Sequence, residues 1–284
     1  NDNKEMEGYY VDGRKNGTWT WWFEDGIKQS EGNYIEDEQN GPWVYFSADG
    51  SIAEEITFLR GKRDGRSTLW LTPEEKEEEK FFKNGKLDGP STFWDNGFRK
   101  TMTTYKSNSP EGPWVIWYSN SDQMKEQGFH QEGIREGLTT YYYDNGVMQR
   151  EGFFKAGLPD GIWTYWNSKG EKDFDFDFGT GLQHIALEDL AERESIFYKI
   201  GDEKPFTGII TQENPEADYL FLGRTKEGRK DGQWVKWFPD GKDVPEIILV
   251  DVPQPEPKMP WSGGKQEQGG YKEGKKHGKW TEWY

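Results

Sequence analysis

Gly17-Thr18-Trp19-Thr20-Trp21-Trp22-Phe23-Glu24-Asp25-Gly26 is the stretch whose reading decides the fold. It is a short aromatic run opened by one glycine and closed by another. Versions return at Gly41-Pro42-Trp43-Val44-Tyr45-Phe46, Gly112-Pro113-Trp114-Val115-Ile116-Trp117, Gly161-Ile162-Trp163-Thr164-Tyr165-Trp166, Gly232-Gln233-Trp234-Val235-Lys236-Trp237 and Gly278-Lys279-Trp280-Thr281-Glu282-Trp283. The opening glycines Gly17, Gly41, Gly65, Gly89, Gly112, Gly137 and Gly161 are separated by 24, 24, 24, 23, 25 and 24 residues. Gly208, Gly232 and Gly278 continue the series after gaps of 47, 24 and 46, so the longer gaps each span about two periods. A sustained register of this kind is the signature of a repeat array.

Within a unit, two short strands alternate with two turns. Glu7-Gly8-Tyr9-Tyr10-Val11 and Glu151-Gly152-Phe153-Phe154-Lys155 typify the first strand. The first turn carries Gly13, Gly61, Gly85, Gly133, Gly157, Gly228 or Gly274, with Asp37 and Asn108 as substitutes that tolerate positive φ. The aromatic strand ends in Asp25-Gly26, Asp49-Gly50, Asn96-Gly97, Asn145-Gly146, Lys169-Gly170 or Asp240-Gly241. Asp-Gly and Asn-Gly are hairpin signals because type I′ turns need positive φ at both central residues. The expected fold is all-β: an elongated array of antiparallel hairpins, with strands of about five residues, forming a twisted single sheet or solenoid.

Strand alternation sorts side chains onto two faces. Three residues after each opening glycine stand β-branched residues, from Thr20, Val44 and Thr68 to Thr281. Two further on stand Trp22, Phe46, Trp70, Trp94, Trp117, Tyr142, Trp166, Trp237 and Trp283, with Glu213 as the exception. This uniform face is expected to be the core, where truncating Trp117 should cost about 3–5 kcal/mol. The opposite face is more variable. Its rings Trp19, Trp21, Trp43, Tyr45, Trp114, Trp163 and Tyr165 are the expected contact residues for a partner.

Two breaks interrupt the array. Leu187, Leu190 and Ala191, within Ala186–Glu194, have helical spacing and predict one short helix. It divides a first array (1–178) from a second (197–284) through a connecting segment (179–196). A Pro-rich loop (253–260) replaces part of one unit in the second array.

Composition bounds the chemistry. The chain has 284 residues, 32% apolar and 16% aromatic, with 15 Trp and 35 Gly. The core must therefore be made of rings. A formal net charge of -16 opposes nucleic acid and anionic membranes, both of which are normally read by basic surfaces. There is no cysteine, hence no disulfide or thiolate chemistry, and no run approaches the ~18 apolar residues of a membrane helix. The start at Asn1, without methionine or an apolar leader, reads as a processed chain, and Tyr284 falls inside a repeat. A secreted, periplasmic or cell-surface location is expected over a cytoplasmic one.

The glycine–aromatic unit resembles the MORN-repeat variant proteins of bacteria, often labelled antitoxin-repeat proteins. Gly270-Tyr271-Lys272-Glu273-Gly274-Lys275-Lys276-His277-Gly278-Lys279-Trp280-Thr281-Glu282-Trp283-Tyr284 is the best match. Phe197-Tyr198 with Pro205-Phe206-Thr207-Gly208-Ile209-Ile210 looks like the unit that often opens a second array in such proteins. The resemblance implies hairpin arrays used for binding or scaffolding. Units three to five depart from it, with Ser67 and Ser91 in place of Trp and Asn108-Ser109-Pro110 at the first turn.

No catalytic constellation is readable. His130 takes an aromatic strand position, His277 sits in a turn, and neither has triad-type neighbours in sequence. Asp173-Phe174-Asp175-Phe176-Asp177-Phe178 predicts an amphipathic strand with its carboxylates on one face. Those three are the one candidate for a metal, Ca²⁺, against the preferred reading of a charged strand that blunts a sheet edge. Glu74–Glu79 reads as a solvated charge run. The expected function is a non-enzymatic scaffold for protein contacts or self-association. A glycan- or surface-binding module using exposed Trp and Tyr rings is the alternative, and an antitoxin-like binding protein a third.

Overall fold

In the computed structural model, which describes residues 4–214, 219–237, 267–272 and 275–282, first turns of the repeats place two consecutive residues in the left-handed region. Asp12 and Gly13 have φ of 51° and 77°, Arg60 and Gly61 49° and 72°, Ser107 and Asn108 50° and 73°. Two such values in succession make a type I′ turn, whose twist suits the flanking strands. The turns also bind one another. The N–H of Gly61 donates to Gln39 O at 2.9 Å and that of Gly85 to Arg63 O at 2.7 Å. Where glycine is absent, the substitute contributes its side chain: Asp37 Oδ1 accepts from Lys15 N–H and Asn108 Oδ1 from Leu87 N–H, both at 2.7 Å.

The second turn corrects the expectation. At Asp25-Gly26 only Gly26 is left-handed, with φ 90°. Gly26 N–H donates to Phe23 O, and Asp25 Oδ1 accepts from Ile27 N–H. The aspartate therefore closes the loop through its side chain, so one left-handed residue suffices. Asn96-Gly97 keeps the I′ form, at 52° and 79°.

Contacts divide the chain into unit 1, residues 1–136, and unit 2, residues 137–284. Unit 1 holds β1 (Met6–Val11), β2 (Arg14–Trp22), β3 (Lys28–Ile35), β4 (Glu38–Phe46), β5 (Ile52–Leu59) and β6 (Lys62–Trp70). It continues with β7 (Lys76–Lys83), β8 (Lys86–Asp95), β9 (Phe98–Lys106), β10 (Ser109–Trp117), β11 (Met124–Gln131) and β12 (Ile134–Arg135). Unit 2 opens with β13 (Gly137–Tyr142), β14 (Met148–Lys155), β15 (Leu158–Trp166) and β16 (Lys172–Asp177). These sixteen strands follow one another in antiparallel hairpin order without closing into a barrel. No helix among the described residues is long and apolar enough to cross a membrane.

Most strands of the long sheet have eight to ten residues in place of the expected five, and the opening glycine lies inside a strand. Gly17 adopts φ 72° within β2. Glu7 pairs with Thr20 and Tyr9 with Asn16, so Gly17, Thr18 and Trp19 bulge against Gly8 alone. Similar register shifts recur opposite Gly41, Gly65, Gly89, Gly112, Gly161 and Gly232. A bulge re-aims the side chains beside it.

The remainder of unit 2 is a second, smaller sheet. It contains β17 (His184–Ala186), β20 (Gly208–Asn214), β21 (Tyr219–Lys226), β22 (Arg229–Trp237), β23 (Glu267–Lys272) and β24 (Lys275–Glu282), with β17 parallel to β20. Between β17 and β20, β18 (Leu190–Arg193) and β19 (Ile196–Lys199) form a separate hairpin. The helix expected over 186–194 is reduced to one 3-10 turn, Leu187–Asp189. A nine-residue helix is marginal by itself, and Glu194-Ser195, at φ 51° and 62°, turns the chain into β19 instead. Leu187 and Leu190 still share one apolar cluster, which accounts for their spacing. The Pro-rich segment 253–260 lies outside the described residues.

Two cores sandwich this smaller sheet. On one face Ile209, Leu222 and Val235 pack against Trp163, Tyr165, Phe174 and Phe176. On the other, Ile210, Phe221 and Trp234 pack against Ile185, Phe197 and Phe206. A sheet covered on both sides needs apolar residues at successive positions, and Ile209-Ile210 and Phe221-Leu222 supply them.

Candidate functional site: two faces of a repeat sheet

The bulge inverts the expected roles of the two faces. Trp19 and Trp43 are 2% exposed and Trp114 and Trp163 3%, so rings expected at a contact surface are among the most buried. Trp22, Phe46, Trp70, Trp94, Tyr142 and Trp166, expected as core, are only half-buried, and only Trp117 of that set is buried. The Trp237 side chain and Trp283 lie outside the described residues.

Glycine explains the burial. A Cβ added at Gly8 would overlap the Trp19 indole, and one at Gly32, Gly152 or Gly223 would overlap Trp43, Trp163 or Trp234. Each indole therefore lies directly on a neighbouring strand. Its Nε1–H donates to the carbonyl after that glycine: Trp19 to Tyr9 O at 3.2 Å, Trp43 to Asn33 O at 3.2 Å, Trp163 to Phe153 O at 3.1 Å and Trp234 to Arg224 O at 2.9 Å. The pairing is visible in the sequence as glycine eleven residues before tryptophan. Where Ile56 or Lys80 takes the glycine position, Ser67 or Ser91 takes the tryptophan position. Two places break the pairing: Thr139 stands eleven residues after Gly128, and Thr103 stands where the glycine before Trp114 would be. Trp114 Nε1 has no acceptor within the described residues; Arg135 lies over its ring at 4.5 Å and His130 beside it at 5.6 Å.

In unit 1 this face carries a ring ladder across β1–β5. Tyr10 meets Trp19 edge-on at 5.0 Å, Trp21 lies 5.5 Å from Trp43, and Trp43 lies 6.0 Å from Tyr45 and 6.1 Å from Phe58. Lys15 lies over Trp19 at 4.5 Å and over Trp21 and Tyr34 at 5.2 Å. Trp21 and Tyr45 stay half-buried within the ladder. Burial holds the Tyr34 and Tyr45 hydroxyls above the usual tyrosine pKa. In unit 2 the smaller sheet covers the equivalent face, so Trp163 and Tyr165 meet the chain itself.

The opposite face bears a composite that sequence reasoning missed. Cross-strand pairing runs Glu7–Thr20–Glu31–Val44–Glu55–Thr68–Glu79–Thr92, one carboxylate per repeat. Lys4 pairs with Glu7 and Lys28 with Glu31 at 2.7 Å, Lys76 with Glu79 at 2.8 Å. The same ammonium groups lie over rings: Lys4 over Trp22 at 5.1 Å, Lys28 over Phe46 at 5.8 Å, Lys76 over Trp94 at 5.5 Å and Trp70 at 5.8 Å. The Lys28 hydrogen bond, aided by Thr20, holds the Glu31 carboxyl below its ordinary pKa although burial opposes it. The 24-residue recurrence of Glu7, Glu31, Glu55 and Glu79 was a signal that could have found this row.

The remaining predicted residues are structural neighbours. In β16 and just after it, Phe174, Phe176 and Phe178 are buried while Asp175 and Asp177 are exposed, in the expected alternation, and β16 ends its sheet. Asp175 accepts from Thr164 Oγ1 at 2.8 Å and Lys172 Nζ at 2.7 Å, and Asp177 from Gly179 N–H at 2.8 Å. Burial raises the Asp175 pKa, but those two partners outweigh it and leave the net shift downward. No group of three or more carboxylates or imidazoles among the described residues is placed to hold a metal ion. His130 is held below the usual histidine pKa by burial and by the Arg135 charge. His184, stacked on Phe178 at 5.5 Å, is held below it by burial.

The MORN repeat variant model matches residues 15–36 and 135–156. Both stretches are similar to that repeat and share one phase, running from just after one I′ turn to the next. Gly32 lies in the first matched stretch and Trp43 in the following repeat, so the glycine–tryptophan contact joins one unit to the next. MORN repeats are commonly non-enzymatic interaction modules. No curated protein matches the chain.

Proposed function

We propose that the chain is a non-enzymatic scaffold that binds a protein partner, a second copy of itself included, through the lysine–ring–carboxylate face of unit 1. One observation carries the reading: half-exposed rings and a carboxylate recur once per repeat, ion-paired at Glu7, Glu31 and Glu79, on a sheet that has no second layer among the described residues of unit 1. Its ion pairs and cation–π contacts add little stability. Exposed ion pairs contribute about 0–1 kcal/mol and exposed cation–π contacts about 0.5–1 kcal/mol. Two strands per repeat set the rings roughly 9.5 Å apart, from the ~4.8 Å strand spacing. That periodicity suits an extended partner whose own features repeat.

The glycan alternative draws on the same spacing, since half-exposed Trp22, Trp70 and Trp94 present flat apolar surface on which sugar rings stack. Light scattering across a concentration series, run beside glycan-array binding, separates the two. Mass growth that is lost in Lys28→Glu/Lys76→Glu, with circular dichroism unchanged, supports the protein-contact reading. Glycan binding by an invariant monomer transfers the face to the sugar reading. A monomer that binds no glycan and no basic partner protein sinks both.

A further inference from the structure

One carboxylate of the row, Glu55, has no ammonium partner among the described residues. At Glu7, Glu31 and Glu79 the residue three positions earlier is lysine, and it lies over the ring eighteen positions after itself. At Glu55 that earlier residue is Ile52 and the ring is Trp70. The Glu55 carboxylate accepts from Trp70 Nε1 at 3.3 Å and makes no ion pair among the described residues. Ile52 is 39% exposed, and Glu55 and Trp70 are half-buried, so the place is reachable from solvent. Isoleucine reproduces the apolar stem of the missing lysine but not its charge.

We infer that Glu55 and Trp70 form a receptor site for one lysine ammonium group presented by a protein partner. The inference rests on the scaffold reading and names the chemistry its partner brings. Three sister repeats display the bound arrangement with the chain's own lysine as ligand. The Glu55 rung offers the same carboxylate without an ion pair, beside a ring that Lys76 approaches from the next rung at 5.8 Å. A carboxylate gives the ammonium a charge-assisted hydrogen bond and the ring gives cation–π attraction. The chain's formal charge of -16 favours a basic partner over long range. Glu151, preceded by Met148 and followed by Trp166, repeats the combination once in unit 2.

The test uses the full chain and Nα-acetyl-lysine methylamide, followed by the NMR shift of the Trp70 indole N–H. A saturable shift is expected, with the Trp94 indole unmoved because Lys76 already occupies its rung. The Nε-acetylated probe should give no shift. Ile52→Lys, which restores the sister sequence, and Glu55→Gln, which keeps an acceptor for Trp70, should each weaken binding at least tenfold. A non-saturable shift, or equal binding to Ile52→Lys, overturns the site. Probe binding without any partner or self-association would leave the site standing and remove the scaffold reading; the reverse outcome removes the site alone.

Discussion

Trp43 is buried, and the cause is the residue beneath it. Gly32 has no Cβ, so the indole lies on the backbone and donates to Asn33 O while Tyr34, Tyr45 and Phe58 enclose its edges. Gly32→Ala must push the ring outward, and is expected to destabilise the protein by about 1–3 kcal/mol, the scale of overpacking. Trp43→Ser should cost about 3–5 kcal/mol in the natural chain, as for other buried Trp truncations, and less in a chain where Gly32→Ala already holds the ring off. Ser67 opposite Ile56 shows that the chain tolerates that combination. Urea unfolding of the two single variants and the double variant measures the coupling. Additive costs would mean that glycine and ring act independently, contrary to the geometry.

At the scale of elements, β17 and β11 each carry a histidine whose surroundings favour the neutral form. His184 stacks on Phe178, and His130 sits beside Trp114 and the Arg135 charge. With folded-state pKa values below the ordinary value of about 6.5, the unfolded chain binds more protons as pH falls. Their contribution is therefore complete at pH above roughly 6.5 and declines as pH drops toward the folded values. The melting temperature is expected to be lower at pH 5.5 than at pH 7.5, and His130→Gln/His184→Phe should flatten that difference. Glu31 and Asp175, lowered instead, act in a separate window: their stabilisation holds above about pH 4 and is lost under stronger acid. An unchanged slope in the double histidine variant would assign the pH dependence to other groups.

Considered whole, the two units are stabilised by different means. Unit 1 is a single layer in which each strand meets mainly its neighbours, the nearly one-dimensional energetics of a repeat array. Unit 2 adds a sheet buried on both faces, with Ile209, Ile210, Leu222 and Phe176 fully enclosed. Amide hydrogen exchange should consequently be slowest in β20, β21 and β22, with faster exchange in β6–β9, where Ser67 and Ser91 replace the tryptophan contact. Uniform protection across those strands would refute the distinction. The apolar clusters of unit 2 also explain why the repeat at Gly208 departs from the common pattern: Ile209 and Ile210 serve two cores at once.

The sequence alone determined the period, the hairpin order and the all-β class, because turn glycines and strand alternation are local constraints that a 24-residue register exposes directly. It also made the Asp173–Phe178 alternation legible, since a period of two needs no tertiary information. It did not determine which face is buried. Uniformity pointed to Trp22 and its counterparts, whereas burial follows from a bulge at Gly17 and a glycine on the adjoining strand, a contact eleven residues away in the chain. Coverage of Trp163 and Tyr165 needed longer range still, since Leu222 and Val235 come from strands that only the folded chain brings against β15. The carboxylate row lay in the sequence as a spacing, but its meaning required the register that sets each lysine beside a glutamate and over a ring. Local backbone preferences are written residue by residue, while the choice of face depends on what packs against it, and only the tertiary structure decides that.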